Sequence, residues 1–365
     1  MLKDSLKRDL KEKSRSSLKR NTRKLKRTEL ILTNMGKLTK EQLKTMGIVR
    51  NIRRNVMNKN WECMCDSCTN KAINSHLLQR HGVLDNIMED NHMVEMRPKD
   101  IFKWNENNAP MTFKKVGLND AISYPLFCNH HDTELFLEIE STNPDVNDYL
   151  SQLLFIYRCV SAEIRKKEIE IEVNKRQLNA ESLNFDSSLL KDIIKGLECG
   201  INDLKSYSDM LLDEIKSPKH NFVFHVVKLP FIPIYASATF SFETNCGKLI
   251  SESEIWDGAF MHIIPRVADS YIILGTHKSH MNDELDKFIS KFSCVNKDSI
   301  GILLTDMFSQ RIENFGMSIS LYQSLKQENI NKFFEFQKQS MFEYNMLLEP
   351  GFNLFECEYW DALFN

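Results

Sequence analysis

Cys63-Met64-Cys65-Asp66-Ser67-Cys68 and, further on, Phe127-Cys128-Asn129-His130-His131-Asp132 decide how the first part of this chain is read. Zinc favours four thiolate or imidazole ligands in a tetrahedron, and a tight turn carrying two cysteines presents both sulfurs to one ion. Cys65 and Cys68 make one such pair, and Cys128 with His131 makes the other. Cys63 with Cys68 is an equally workable spacing, so Cys63 and Cys65 compete for one position. The expectation is one structural Zn²⁺ built into residues 63–132.

The remaining cysteines support that reading. Cys159, Cys199, Cys246, Cys294 and Cys357 are scattered singly among apolar or helical residues and read as reduced, small hydrophobes. His81 and His92 share the cysteine-rich stretch and read as surface groups or supports of the ligands. His277 and His280 with Asp283 lie by the turn at Gly275 and read as a surface turn rather than a second metal site.

Outward from this centre the chain changes character in both directions. Its formal net charge is -2 at neutral pH. Residues 1–60 nevertheless carry 19 Lys or Arg against 5 Asp or Glu, and the other 305 residues are correspondingly acidic. A polyanion would meet the N-terminal end first. Residues 1–30, with Leu2, Leu6, Leu10, Leu18 and Leu25 among basic and hydroxyl side chains, read as a solvated basic arm or a weakly amphipathic helix. Arg20, Arg23, Lys24, Lys26, Arg27, Arg53 and Arg54 are the candidate phosphate contacts. A short helix over 39–46 is expected to stop at Gly47. No apolar run is long enough to span a bilayer and no secretory leader is recognised, so a cytoplasmic protein without membrane contact is expected.

Residues 99–124, rich in Asn with Pro110 and Gly117, read as an irregular insertion followed by a short connection. From Asn147 the apolar residues Leu150, Leu153, Leu154, Tyr157, Val160 and Ile164 repeat at three and four, and a charged run carries the helix to about Leu178. Leu189, Ile193, Leu197, Ile201, Leu204, Leu211 and Ile215 mark a second helix, ended by Pro218. The simplest arrangement is an antiparallel helical hairpin, whose stripes serve as core or as a surface for self-association or a protein partner. Strands are expected over 222–228, 234–242, 259–265 and 270–275, and helices over 283–292, 297–307 and 321–345. The fold class is α+β. It divides into a basic arm (1–60), a zinc-binding module (61–140), a helical hairpin (147–217) and an α+β C-terminal domain (219–365).

His76 follows the first cysteine cluster at the spacing of a general base, and here the chain resembles the zinc-containing HNH endonucleases over residues 61–136. The resemblance implies a treble-clef-like module in which His76 activates water for phosphodiester cleavage. Asp132 stands where a metal-binding histidine is usual and would help hold Mg²⁺ or Mn²⁺, and Asn119 is the best-placed counterpart of the middle asparagine. Ser75 replaces the usual aspartate. The combination of Ser75-His76-Leu77-Leu78-Gln79, Gly82-Val83-Leu84, His92 and the 127–136 stretch also resembles a family of bacterial proteins linked to phage defence. A nuclease acting on DNA or RNA is thus one expectation. A noncatalytic, zinc-stabilised sensor or adaptor is the other, with His76 capping the helix begun at Leu77 or itself binding zinc. No GxxxxGK, GxSxG or HExxH pattern is present, so ATPase and serine hydrolase chemistry have no basis in the sequence.

Overall fold

The computed structural model describes residues 40–99, 110–141, 143–180, 182–183, 187–241, 258–294, 296–343 and 349–365. The N-terminal arm through residue 39, with Arg20, Arg23, Lys24, Lys26 and Arg27, lies outside the described residues. The elements in chain order are α1 (Lys40–Met57), β1 (Asn74–His76), β2 (His92–Pro98), β3 (Met111–Gly117), β4 (Ser123–Pro125), α2 (Asn129–Leu135), α3 (Tyr149–Leu178) and α4 (Ser187–Lys216). They continue with β5 (Phe222–Pro230), β6 (Ile234–Ser241), β7 (Gly258–Pro265), β8 (Asp269–His277), α5 (Asp283–Ser290), α6 (Lys297–Asp306), β9 (Phe315–Met317), α7 (Ile319–Ser324), α8 (Gln327–Glu343) and α9 (Glu358–Ala362).

Helix α3 is the spine. Asp148 caps its start by accepting from the Ser151 N–H, and every residue from Ser151 to Ala162 is buried, so protein surrounds this part on all sides. Helix α4 runs back along it: Lys175 pairs with Glu198, and at the other end the Tyr149 hydroxyl donates to Glu214 at 2.8 Å. Glu214 also accepts the Lys219 N–H, which fixes the turn from α4 into β5.

Seven strands form one antiparallel sheet in the order β3-β2-β9-β6-β7-β8-β5. It joins β2 and β3, which lie within residues 61–140, to strands from the second half of the chain. Successive side chains of a strand face opposite sides. Tyr235, Phe260, Ile264 and Ile273 accordingly enter the core with α3 and α4, while Ala236, Met261, Ile263, Ile272 and Leu274 enter the core with α5, α6 and α8. Covered on both faces, β7 is buried at every residue. Gly316 is required where Tyr235 crosses β9, because a Cβ there would strike the Tyr235 ring and sit 3.1 Å from the Val94 carbonyl.

Several local expectations change. Helix α1 passes through Gly47 because Met46, Val49 and Val56 carry one buried stripe across it, and Val56 packs with Trp61, Ile169 and Val173. The expected irregular stretch contains strand β3, held by full pairing with β2 and by Phe113, which sits among Phe315, Tyr322, Phe333 and Phe334. The last long helix divides into α7 and α8 because Leu325 is extended, at φ -62° and ψ 136°. The segment Arg311-Ile312-Glu313-Asn314 ties the C-terminal half to α3, with Lys166 at 2.9 Å from Glu313 and Asn314 donating to Glu163. Among the described residues no helix is long and apolar enough to cross a membrane.

His262, on β7, is completely buried between the Phe155 and Phe260 rings, with Ser237 Oγ 3.1 Å from its Nδ1. Burial lowers its pKa to about 3. The unfolded chain, with its histidine near 6.5, therefore binds the proton first as the pH falls, and stability is lost from about pH 6.5 downward. Shifting the pH from 7 to 5 should cost about 2 kcal/mol through this residue. Urea unfolding of wild type and His262→Gln at both pH values checks it, since the variant should lose that part of the slope.

Candidate metal centre

The sequence folds locally so that four ligand atoms converge. Residues 61–63 pair with 70–72 through Cys63 N–H to Asn70 O at 2.9 Å and Ala72 N–H to Trp61 O at 2.8 Å. Between them the chain turns sharply, with the Cys68 N–H on Cys65 O and Ser67 left-handed at φ 61°. The turn docks on the segment before α2 through Met64 N–H to Leu126 O and Ile73 N–H to Phe127 O. β1 and β4 pair as a short antiparallel ladder, and Cys128 forms the N-cap of α2, which places His131 one turn into the helix.

Cys63, Cys68, Cys128 and His131 thereby form a group able to hold one metal ion such as zinc, their ligand atoms all within 4.8 Å of one another. His131 Nδ1 lies 3.3 Å from Cys63 Sγ and 3.4 Å from Cys128 Sγ, and the Cys68 and Cys128 sulfurs are 3.9 Å apart. Zinc bonds of about 2.3 Å to sulfur and about 2.0 Å to nitrogen would put tetrahedral neighbours roughly 3.8 Å (S to S) and roughly 3.5 Å (S to N) apart. The donor set and its spacing fit zinc.

The group takes in Cys63 and leaves out Cys65, the partner of Cys68 in the other expected pair. Cys63 sits on the paired strand-like segment and faces inward, whereas Cys65 lies on the turn itself. Cys65 stays outside the four-atom group, and its burial, together with the neighbouring Cys63, pushes its thiol up to about 12. The backbone of His131 acts oppositely on Cys128, holding that thiol below its ordinary value. His130 pairs with Glu134 and His81 with Asp85, and His92 Nδ1 meets the Asp90 carbonyl, so none of these three joins the group. Among the described residues no metal-binding group includes His277, His280 or Asp283.

His76 ends β1 and is likewise outside the four ligands. Its Nε2 is buried without a hydrogen-bond partner. Burial first, then the positive charge of Arg80, lowers its pKa, which keeps the ring neutral at pH 7. The neighbouring Ser75 hydroxyl, buried, donates to Asp132 Oδ1 at 2.6 Å. Asn119, in the short 3₁₀ turn Leu118–Asp120, accepts from Arg80 at 2.7 Å. Arg53 pairs with Glu170, and Arg54 donates to Asn51 within its own helix, so both phosphate candidates on α1 already have local partners.

Sequence reasoning passed over Arg80 and Arg158. The Arg158 side chain is 2% exposed, lies over the Phe136 ring at 4.1 Å and meets Glu140 at 2.5 Å. Its signal was present: an arginine within the apolar run Leu153–Val160 needs a buried partner. No protein-family model matches this chain, and comparisons with curated proteins and with solved structures return no match either.

Proposed function

We propose that residues 61–140 form a zinc-cross-linked, HNH-like module that acts on nucleic acid by metal-dependent phosphodiester hydrolysis, with His76 as the general base. The observation that supports it is the convergence around the hairpin and helix joined at the metal centre. His76 presents a buried, unpartnered Nε2 on a ring kept neutral, and the Asp132 carboxylate meets the residue next to it. A neutral imidazole accepts the proton of an attacking water, and a base so placed contributes about 10²- to 10⁴-fold to such a reaction. A divalent ion held by Asp132 and substrate oxygens would supply charge stabilisation at the phosphate. The zinc group serves architecture in this reading, since all four positions are filled by protein ligands.

His76→Ala should therefore lower Mg²⁺- or Mn²⁺-dependent cleavage by about 10²-fold or more with zinc content unchanged. Cleavage of single- and double-stranded DNA and RNA by wild type and variant measures it, and undiminished cleavage by the variant overturns the assignment.

A second reading, a noncatalytic zinc-stabilised adaptor, is favoured by one contact. The Ser75 hydroxyl is spent on Asp132 Oδ1, so the two side chains at the positions where a divalent ion is expected satisfy each other. Under this reading wild type cleaves none of the four substrates, and His76→Ala alters only stability or partner binding.

A further inference from the structure

Beside the metal centre the surface opens into a groove of about 870 Å³. Three parts of the chain wall it: the end of α1 with residues 57–59, the outgoing limb of the cysteine hairpin and the start of β1 with residues 70–74, and the start of α2 with residues 129–130. Cys128 lies on the lining and is also one of the four ligands, so an ion joining the hairpin to α2 fixes two of these walls against each other. β1 runs on from Asn74, in the wall, to His76.

The lining carries cations and amides and no carboxylate. Lys71 is exposed and has no ion partner among the described residues, while Lys59 lies over the Trp61 ring, 3.8 Å from Glu172. Asn58, Asn70, Asn74 and Asn129 present four exposed side-chain amides, none of them hydrogen-bonded to another group among the described residues. Such amides both donate and accept, and with lysine they are usual contacts to phosphate and sugar. Between them Met57 and Ile73 stand 43% and 39% exposed, apolar surface inside an otherwise polar lining. An unstacked base has an apolar face and polar edges, and this lining matches both.

Charge leads to the same occupant. Helix α1 carries five basic residues against one acidic, and it joins the basic arm in sequence to the groove. A basic approach to a lining without carboxylates favours a polyanion. Exposed apolar side chains in the groove call for bases that a duplex keeps stacked inside, so the polyanion is a single strand.

We propose that this groove binds one strand of single-stranded nucleic acid, with Lys71 and the amides on its phosphates and sugars and Met57 and Ile73 against a base. This rests on the reading of residues 61–140 as a module that acts on nucleic acid, and it names the substrate class as single-stranded. Lys71 is a binding residue and moves no proton.

The test is fluorescence anisotropy with the zinc-loaded full chain, without added divalent ion, on a short labelled oligonucleotide as single-stranded DNA, single-stranded RNA and DNA duplex. The basic arm adds affinity for all three, so variants isolate the groove. Lys71→Glu should weaken single-strand binding about tenfold and lower the slope of log affinity against log salt by about 0.7, the share of one phosphate contact, with a smaller loss on duplex. Lys205→Glu, exposed on α4 and outside the groove, makes the same change in net charge and should leave both quantities unchanged. Asn129→Asp sets a carboxylate in the lining where an acidic side chain favours the start of a helix, so it should weaken binding with the fold and zinc content retained. Equal effects of Lys71→Glu and Lys205→Glu, or undiminished binding by Asn129→Asp, overturn the groove. An equal loss on duplex overturns the single-strand assignment, and displacement of the strand by polyglutamate at matched charge overturns the choice of nucleic acid over an acidic polypeptide. Strand binding that Lys71→Glu weakens in a wild type that cleaves nothing keeps the groove and removes the hydrolase. His76-dependent cleavage with a KM unchanged by Lys71→Glu removes the groove and keeps the hydrolase.

Discussion

Cys68→Ser and Cys128→Ser are each expected to abolish stoichiometric zinc binding and to unfold the hairpin Trp61–Ala72, while Cys65→Ser retains one zinc per chain. The segment has little else to hold its shape. β1 and β4 contribute three residues each, and the turn at Cys65–Cys68 rests on a few backbone bonds and a left-handed Ser67. Structural zinc sites supply apparent binding free energies of about 10–16 kcal/mol, and that binding is folding free energy. Loss of one thiolate leaves three ligands, so most of that contribution goes. The buried anchors Leu77, Leu78, Leu126 and Phe127, which share the core of α3, should keep the rest of the chain folded, so a distinct low-temperature transition should appear. Elemental analysis with thermal unfolding, with and without chelator, reads the result. Zinc lost from Cys65→Ser and kept in a Cys63→Ser variant would return the site to the Cys65–Cys68 pairing.

That outcome is unequal across three nearby cysteines, and this shows where the sequence stopped being informative. Both spacings suit a turn, so the choice between Cys63 and Cys65 depends on which lies in the segment paired with Asn70–Ala72, a contact with no local signature. Periodicity located α3 and α4 because a half-turn error would expose their apolar stripes, and β-rich runs located β5 to β8 for the parallel reason. It missed β3, an edge strand whose Lys114 and Lys115 are exposed and whose Phe113 finds partners some two hundred residues away. Gly47 read as a stop because local propensity ranks glycine low, yet its neighbours Met46 and Val49 are held by tertiary packing, which overrides propensity. The placement of β9 between β2 and β6 was likewise illegible, since it joins residues remote in sequence. At the candidate site, His76, Asn119 and Asp132 were nameable from pattern. Arg158, whose charge bears on His76, was not, because α3 is remote from β1 in sequence.

Glu95→Ala should be among the most damaging single changes away from the metal, costing about 3–5 kcal/mol, because it leaves buried partners uncompensated. Glu95 lies on β2, completely buried, and accepts from the Tyr235 hydroxyl and, at 3.1 Å, from the Ile122 N–H, while Arg97 pairs with its second oxygen. Burial outweighs these contacts and holds the carboxyl above its ordinary value. The native chain therefore binds this proton more tightly than the unfolded chain does. Stability from Glu95 is full below the ordinary value and is lost as the pH rises through the raised one. Glu95→Gln keeps an acceptor for Tyr235 and Ile122 but never ionises. Relative to wild type it should gain stability in urea unfolding as the pH rises above the ordinary carboxyl value of 4.5. A difference that falls with pH would mean that Arg97 stabilises the ionised form enough to reverse the sign. The consequence reaches the candidate site, because Ile122 immediately precedes β4, and β4 pairs Ser123 with His76. A sheet that loses its hold on Ile122 loosens the strand against which His76 is set, so Glu95→Ala should lower His76-dependent cleavage even where zinc content is unchanged.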